Sequence, residues 1–244
     1  MAKIFITGSS DGLGLLAANK LIDQGYEVIL HARNISRKQD TIEATAGASE
    51  VLVADLSVTE DIKKLAEEVN SQGSFDAIIH NAGIYTASGE QLRQVNVLAP
   101  YLLTCLINPP KRLVYLSSGM HRGGLLDFPS LKSGAITYSD TKLYINLLSA
   151  AVARYWPDVY SNAVDPGWVP TKMGGSNAPD DLDKGAETQC WLAVSEDVQA
   201  KVTGKYFHHL HTEEGRSDAQ DINNQEQFLK SCEALTGVGL PNNR

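Results

Sequence analysis

The amino-acid sequence predicts an α/β fold: a Rossmann-type, doubly wound parallel sheet of about seven strands with helices on both faces. Short β-rich apolar runs alternate with amphipathic helical patterns along the chain, which is typical of a parallel sheet. The runs are apolar on both sides, as strands buried between two helical layers must be. Because no linker or repeat interrupts the alternation, the 244 residues are expected to form a single domain, 1–244.

The β-rich apolar runs give seven predicted strands. They cover 3–7, 27–32, 50–56, 75–83, 112–118, 159–167 and 204–209. The helical patterns between them cover 15–25, 59–73, 90–107 and 135–156. The longest stretches without such a pattern are 119–134 and 171–184. Long loops in a compact domain often carry function, so substrate-binding loops are predicted at 119–134 and 171–190.

Composition and charge disfavour several classes of protein. The chain carries 29 acidic against 21 basic residues, a formal charge of −8, so its surface repels the phosphates of nucleic acid. No apolar run approaches the ~18 residues needed to span a bilayer, and the N-terminus lacks a signal-peptide pattern. We therefore expect a cytoplasmic protein with no nucleic-acid or membrane partner. The three scattered cysteines indicate reduced thiols rather than disulfides or a metal site.

A glycine-rich turn follows the first predicted strand. The stretch TGSSDGLG, residues 7–14, leads directly into a helix and contains Gly8, Gly12 and Gly14. Glycines permit a tight turn and close approach to a pyrophosphate, which the helix N-terminus then faces. The stretch therefore predicts a dinucleotide site, with a generic glycine-rich turn as the alternative. It lacks the lysine of a phosphate-binding loop, which disfavours hydrolysis of nucleoside triphosphates.

The residues after the second strand indicate which dinucleotide binds. NAD-binding proteins usually place an acidic residue there for the ribose hydroxyls, but no Asp or Glu lies between Glu27 and Asp40. Arg33 occupies this region, and a guanidinium pairs with a 2′-phosphate that a carboxylate would repel. The sequence therefore predicts NADP(H) as the preferred cofactor. Two alternatives stay open: that Arg33 is merely solvated, and that Asp11 adds negative charge near the same pocket.

Several short motifs, in order along the chain, resemble those of the short-chain dehydrogenase/reductase family. Besides TGSSDGLG, they are Ala54–Asp55, NAG at 81–83, QVNVLAP with Asn96, YLSS ending at Ser118, YSDTK at 138–142, and DPGWVPT at 165–171. The segment SSGMHRGGLLDF and the late GKYF are similar to the retinol-dehydrogenase-like branch. The resemblance implies an enzyme that acts on CH–OH or C=O groups with a nicotinamide cofactor. It also implies a homodimer or homotetramer, with a monomer left open.

Tyr138 and Lys142 are four residues apart on a predicted helix, so their side chains face the same side. An ammonium beside a phenol is expected to lower the pKa of the phenol from ~10 and to make it an acid–base group. The resemblance implies this role for Tyr138 and a bond to the nicotinamide ribose for Lys142. It also implies that Ser118 holds the substrate oxygen, with Ser117 as the alternative, and that Asn96 kinks its helix and holds a water.

The predicted site thus has two parts. The catalytic residues are Asn96, Ser118, Tyr138 and Lys142. The cofactor contacts are Gly8, Ser10, Asp11, Gly12, Leu13, Gly14, Arg33, Asp55, Leu56, Asn81, Ala82, Gly83, Tyr138, Lys142, Pro166, Gly167, Val169 and Thr171. No metal site is predicted, because the histidines in HHLH, residues 208–211, lack a supporting acidic or cysteine ligand. The hypothesis is an NADP(H)-dependent oxidoreductase acting on a small-molecule carbonyl or alcohol. A non-catalytic dinucleotide sensor is the alternative.

Overall fold

The computed structural model describes residues 1–242 and confirms the α/β fold class. One sheet has the strand order β3-β2-β1-β4-β5-β6-β7-β8. Its strands are β1 Lys3–Ile6, β2 Glu27–Ala32, β3 Glu50–Val53, β4 Ala77–His80, β5 Arg112–Leu116, β6 Tyr160–Asp165, β7 Tyr206–His208 and β8 His211–Glu213. Neighbouring strands from β3 to β7 run parallel, and β8 pairs antiparallel with β7. The sheet has eight strands, whereas the sequence predicts about seven. The additional strand is β8, whose three residues are exposed and show no apolar pattern.

Helices connect the strands on both faces of the sheet. They are α1 Gly12–Asp23, α2 Ile35–Ala44, α3 Thr59–Ser71, α4 Gly89–Arg93, α5 Ala99–Leu106, α6 Phe128–Ser133, α7 Tyr138–Tyr155, α8 Leu182–Val194, α9 Ser217–Gln220 and α10 Ile222–Thr236. A π-helical segment, Gln94–Leu98, joins α4 to α5, and a 3₁₀ segment, Gly119–Gly123, follows β5. None of the helices in the described chain is long and apolar enough to cross a membrane.

Five of these helices, α2, α6, α8, α9 and α10, lie where the sequence analysis expects none. Helix α2 buries only Thr41, and α6 and α9 are too short to show an apolar period. In helices α8 and α10, the recognisable signals are the capping residues at the helix ends. Asp181 and Asp221 accept the backbone N–H of the third helical residue, and α10 stops at Gly237 in a left-handed conformation.

The core consists of two apolar clusters, one on each face of the sheet. Alternation along β1 sends Phe5 to one cluster and Ile4 and Ile6 to the other. The Phe5 side packs against α3, α5, α7 and α10, whereas the opposite side packs against α1 and α8. The carboxyl ends of the parallel strands therefore meet at one edge between the two layers, where ligands of such sheets bind.

Side-chain hydrogen bonds join the ends of β1 and β4 at this edge. The Asn81 amide donates to the carbonyl oxygens of Thr7 and Gly8, at 3.0 Å each, and the Ala82 N–H donates to the Thr7 hydroxyl at 3.1 Å. A Cβ at Gly14 would collide with the Gly8 carbonyl oxygen and the Asn81 amide. These hydrogen bonds fix the glycine turn to the end of β4 and so fix the position of its backbone at the carboxyl edge of the sheet.

The C-terminal segment covers the outer face of α5 and α7. The Phe228 ring of α10 stacks on Tyr144 of α7, with centroids 5.6 Å apart and an interplanar angle of 13°. The Tyr101 hydroxyl donates to the carbonyl of Val238 at 2.7 Å, and the Trp156 indole N–H donates to the carbonyl of Pro241 at 2.9 Å. The apolar residues on this face of α5 and α7 are therefore buried within one chain.

Candidate active site

A cavity of about 510 Å³ lies at the carboxyl edge of the sheet and extends from the glycine turn to Tyr138 and Lys142. All the predicted cofactor contacts line it except Gly14, Gly167 and Val169. Two of these three have structural places instead: Gly14 packs against the turn, and Val169 is buried against Gly185 of α8. Of the predicted catalytic residues, Tyr138 and Lys142 also line the cavity, whereas Asn96 and Ser118 do not.

The glycine turn borders the cavity with bare backbone. Gly8 and Gly12 have φ angles of +63° and +52°, a region that side chains disfavour. A Cβ at Gly8 would lie 2.8 Å from the Cα of Ala82, so no larger residue fits there. Asp11 caps α1 by accepting the Gly12 N–H at 2.8 Å. The N-terminus of a helix thus opens beside the turn, an arrangement that suits anions.

Charged side chains cluster around this end of the cavity. Arg33 Nε donates to Asp55 Oδ2 at 3.0 Å, yet the Arg33 side chain is 69% exposed. Arg37, which the sequence analysis did not select, donates to Asp11 Oδ2 and to the Ser10 carbonyl, at 3.1 Å each. Lys172 also pairs with Asp11, and this ion pair lowers the pKa of the Asp11 carboxyl. The negative charge of Asp11 is therefore balanced by two cations.

His31 at the end of β2 is a second residue that sequence reasoning missed. Its Nδ1 accepts the Gly8 N–H at 3.0 Å, and its Nε2 lies 2.9 Å from the carbonyl oxygen of Ala54. Burial lowers the pKa of His31 to about 4, so the ring is neutral at pH 7 and its Nε2–H donates to Ala54. The ring ties the glycine turn to the end of β3. No motif in the sequence marks it, because a histidine inside an apolar strand has no characteristic spacing.

Tyr138 and Lys142 lie one turn apart at the start of α7, which Thr137 and Asp140 cap reciprocally. The Lys142 Nζ is 5.4 Å from the centroid of the Tyr138 ring and donates to the carbonyl of Leu116 at 2.7 Å. Lys142 is buried, and Tyr138 is partly buried. Burial lowers the pKa of Lys142 to about 8 and raises the pKa of Tyr138 to about 12. In the protein without cofactor, the pKa of Tyr138 is therefore raised, opposite to the lowering predicted from the neighbouring ammonium.

The two adjacent serines have different contacts. Ser117 lines the cavity, but its hydroxyl donates to the backbone carbonyl of Lys142 at 3.1 Å. The Ser118 hydroxyl accepts the N–H of Met120 at 3.2 Å, and Ser118 lowers the pKa of Tyr138, which partly offsets the effect of burial on that phenol. The buried His121 donates its Nδ1–H to the carbonyl of Ser118 at 2.7 Å and so fixes the backbone there. This geometry favours Ser118 as the serine that acts with Tyr138.

Asn96 lies in the π-helical segment, a type of distortion that is frequent at functional sites. Its amide exchanges two hydrogen bonds with the backbone of Ile84, at 2.8 Å each, and donates to the Thr141 hydroxyl at 3.2 Å. A Cβ at Gly83 would lie 3.5 Å from both Asn96 Oδ1 and Lys142 Nζ. Asn96 therefore joins the loop after β4 to the helix that carries the Tyr138–Lys142 pair.

The space beside Tyr138 is bordered by exposed aromatic and apolar groups. The Tyr85 ring meets Tyr138 edge-on with centroids 4.8 Å apart, and Tyr85 is 46% exposed. Met173 also lines the cavity and is 47% exposed. The predicted substrate loops differ from expectation in part, because 182–190 belongs to α8 and packs on α1, and 128–133 forms α6 over the core.

Residues 2–182 match the family model described as short chain dehydrogenase. The chain belongs to the short-chain dehydrogenase family. It is 42% identical to an uncharacterised oxidoreductase of Emericella nidulans, over 99% of both chains. Retinol dehydrogenase 14 of Mus musculus is 26% identical, with 96% of this chain and 86% of that protein covered. A short-chain dehydrogenase of Escherichia coli CFT073, solved in complex with NADPH, is 25% identical with a TM-score of 0.68, and covers 85% of this chain and 96% of its own.

These comparisons confirm the predicted family and the resemblance to retinol dehydrogenases. This short-chain dehydrogenase is accordingly an enzyme, an oxidoreductase of a family that binds nicotinamide dinucleotides. The sensor alternative loses its support, because the curated relatives of this chain are named oxidoreductases and short-chain dehydrogenases.

Proposed function

We propose that this short-chain dehydrogenase is an NADP(H)-dependent oxidoreductase that transfers hydride between the nicotinamide and a carbonyl or alcohol carbon, with Tyr138 as the general acid and base. One observation carries the proposal. A single cavity of about 510 Å³ joins the glycine turn, with its cations, to Tyr138 and Lys142. The glycine-turn end of this cavity suits phosphate groups, and Tyr138 at the other end can donate or accept a proton.

The residues of the turn fit a dinucleotide. Bare backbone borders the cavity at Gly8, where a side chain would collide with Ala82, and α1 begins beside it at Gly12. Both features favour close approach by a pyrophosphate. When bound, the nicotinamide ring supplies or accepts the hydride. Asp55, whose carboxylate is held by Ser57 and Arg33, is placed to accept from the adenine amino group.

Three cations support a preference for NADP(H) over NAD(H). Arg33, Arg37 and Lys172 stand at the glycine-turn end, against the carboxylates of Asp11 and Asp55. Arg33 is the most open of the ion-paired arginines at this end and can turn from Asp55 to a 2′-phosphate, with a gain in charge-assisted hydrogen bonds. The NADPH complex of the related Escherichia coli dehydrogenase supports the same choice.

The protein groups at the other end divide the proton chemistry among them. Tyr138 is a phenol at neutral pH, since burial raises its pKa to about 12, so it is set to donate a proton to a carbonyl oxygen. Ser118 holds that oxygen and stabilises the charge that develops on it. Lys142 holds the ribose hydroxyls, and Asn96 keeps the loop after β4 in place beside it.

The groups around Tyr138 support a substrate with an apolar or aromatic body. Tyr85 lies edge-on to the catalytic ring and is 46% exposed, and Met173, which lines the cavity, is 47% exposed. Exposed aromatic residues at a pocket mouth are suited to flat apolar ligands. An aryl or medium-chain ketone fits this surface better than a charged metabolite does.

We also propose that the protein is a monomer rather than the homodimer or homotetramer implied by the family resemblance. The faces of α5 and α7 are covered by residues 222–242 of the same chain, through the Phe228–Tyr144 stack and the bonds to Val238 and Pro241. Size-exclusion chromatography with light scattering measures this directly. A dimer at micromolar concentration would show that another surface forms the interface.

Fluorescence titration with NADPH and NADH tests the proposed function. The unmodified protein should bind NADPH more tightly, and Arg33→Ala and Arg37→Ala should each weaken NADPH binding by roughly tenfold or more while changing NADH binding little. Lys111→Ala is the matched control, because this lysine forms a similarly exposed ion pair with Asp76 at the opposite end of the strands. Equal losses for both cofactors would remove the arginines as phosphate ligands, and binding of neither would contradict the proposal.

A further inference from the structure

His31 of β2 lines the cavity, yet it has no part in the proton and hydride chemistry proposed above. The residue is only 3% exposed. Its backbone is fixed to the glycine turn, because its N–H donates to the Ser9 hydroxyl at 2.8 Å and its carbonyl accepts the Ser9 N–H at 3.1 Å. The His31 ring therefore has a fixed place beside the turn, at the end of the cavity that suits phosphate groups.

The partners of the His31 ring determine which of its nitrogens carries the proton. The Gly8 N–H can only donate, so Nδ1, which lies 3.0 Å away, must be the unprotonated acceptor. The Ala54 carbonyl can only accept, so Nε2, which lies 2.9 Å away, must carry the proton. Only the neutral Nε2–H form satisfies both partners. Burial, which lowers the pKa of His31 to about 4, favours the same neutral form.

Gly8 is held from the two strands that flank β1. His31 of β2 accepts its N–H, and the Asn81 amide after β4 donates to its carbonyl oxygen at 3.0 Å. Both polar groups of Gly8 are therefore bonded to the protein, and Gly8 has no free N–H for a phosphate. The residue shapes the turn, and its shape depends on His31 on one side as it does on Asn81 on the other.

The ring joins three segments that each lead to a predicted cofactor contact. The glycine turn leads into α1, β2 leads to Arg33, and Ala54 precedes Asp55. Arg33 Nε donates to Asp55 Oδ2 at 3.0 Å, so the ends of β2 and β3 meet on the same side of the cavity. A dinucleotide that contacts the turn with its pyrophosphate and Asp55 with its adenine binds best when these segments are held in place beforehand.

We propose that His31 is a positioning residue for the dinucleotide, whose neutral imidazole holds the pyrophosphate-binding turn and the adenine-binding end of β3 at the spacing that one bound cofactor requires. The inference rests on the proposed function and deepens it, because it gives a buried strand residue a part in cofactor affinity that is separate from the preference for a 2′-phosphate. A purely structural role, in which the ring only fills buried space, is the competing explanation.

Titration of three variants with NADPH and with NADH separates the two roles. His31→Leu keeps most of the bulk but loses both hydrogen bonds, and it should weaken binding of both dinucleotides by the same factor, roughly tenfold or more. His31→Asn can still accept the Gly8 N–H, and His31→Gln can still donate to the Ala54 carbonyl, so each should recover part of the loss. The equal factor distinguishes His31 from Arg33 and Arg37, whose replacement is expected to act on NADPH.

His80→Leu is the matched control. His80 is also a buried histidine at the end of a parallel strand, but its ring stacks on Tyr115 and its Nε2 lies 3.3 Å from the Thr104 hydroxyl, within the core. Its replacement should lower the midpoint of urea unfolding and leave both dissociation constants unchanged. Equal losses of affinity in His80→Leu and His31→Leu would overturn the proposal, because destabilisation alone would then explain them. So would tight binding of both dinucleotides by His31→Leu.

Amide hydrogen exchange at Gly8 tests the ring without any ligand. In nitrogen-15-labelled protein followed by NMR, the Gly8 N–H should be protected in the unmodified protein and in His31→Asn. It should exchange roughly tenfold faster or more in His31→Gln and His31→Leu, which lack the acceptor. Unchanged exchange in His31→Leu would overturn the proposal. Faster exchange in that variant, combined with an unmodified protein that binds neither NADPH nor NADH, would support the hold of His31 on the turn and contradict the proposed function alone.

Discussion

At the glycine-turn end of the cavity, Arg33, Arg37 and Lys172 are partly exposed and paired with carboxylates, whereas at the catalytic end Lys142 is buried and Tyr138 is partly buried. Water screens the first set, so each contact there contributes little to stability and can be exchanged for a ligand phosphate. Enclosure shifts the pKa values of the second set by two units or more. The same cavity thus has exposed ion pairs that can rearrange around a ligand at one end, and acid–base groups held by the protein at the other end.

The largest expected effect is at the fixed end. Tyr138→Phe removes the hydroxyl that moves the proton, so kcat should fall by about 10²–10⁴-fold while the NADPH dissociation constant stays unchanged. Tyr85→Phe, beside it, keeps the edge-on ring and should retain most activity. Single-turnover kinetics and cofactor titration measure the two quantities. Full turnover by Tyr138→Phe would assign the proton transfer to another group.

Lys142→Met should make the protein inactive but more stable. Burial lowers the pKa of Lys142 from 10.5 to about 8, which corresponds to about 3 kcal/mol against the folded state. Loss of the hydrogen bond from Lys142 to the Leu116 carbonyl destabilises the variant by about 1 kcal/mol. We therefore expect a net gain of about 2 kcal/mol at neutral pH in urea unfolding.

The pH dependence of that gain checks its cause. Between about pH 8 and pH 10.5 the unfolded chain holds a proton that folded Lys142 has released, so the unmodified protein gains stability as pH rises through this window. Lys142→Met lacks this gain, and the difference between the two proteins should shrink. A constant difference would attribute the effect to packing.

A smaller effect is expected at His31, the buried group of the glycine-turn end. Its folded pKa of about 4 lies below the unfolded value of 6.5, so the unfolded state takes up a proton first as pH falls. Stability should drop between pH 6.5 and about 4, by about 1 kcal/mol at pH ~5.5. His31→Gln should remove this part of the slope, whereas the exposed His211→Gln should not. Urea unfolding at two pH values measures it, and identical slopes in all three proteins would contradict it.

The smallest effect is expected at Lys172, whose side chain is 79% exposed in its ion pair with Asp11. Lys172→Ala should change the free energy of unfolding by less than about 1 kcal/mol, because solvent screens the pair. It should nevertheless reduce the dependence of NADPH binding on salt concentration, since one cation is removed from the binding end. A destabilisation comparable to that of a buried group would contradict the comparison between the two ends.

The sequence predicts those features that depend on local spacing. The glycine turn and the Tyr138–Lys142 pair are each set by a few neighbouring residues, so the order of motifs predicts both the fold class and the two parts of the site. Arg37 and His31 could not be found in this way. Arg37 lies on a helix with no apolar stripe, and His31 gains its contacts from residues more than 20 positions away. The C-terminal cover of α7 depends on packing over a still longer separation.

During synthesis, α7 leaves the ribosome well before α10, since residues 156–221 separate the end of α7 from the start of α10. Until then the ring of Tyr144 and the indole of Trp156 have no partner from Phe228 and Pro241. A ribosome stalled before residue 222, or a stop codon there, would release a chain with an open apolar helix face, a natural substrate for chaperones and proteases. The apolar face of α7 is therefore covered only in a chain that has been synthesised through α10.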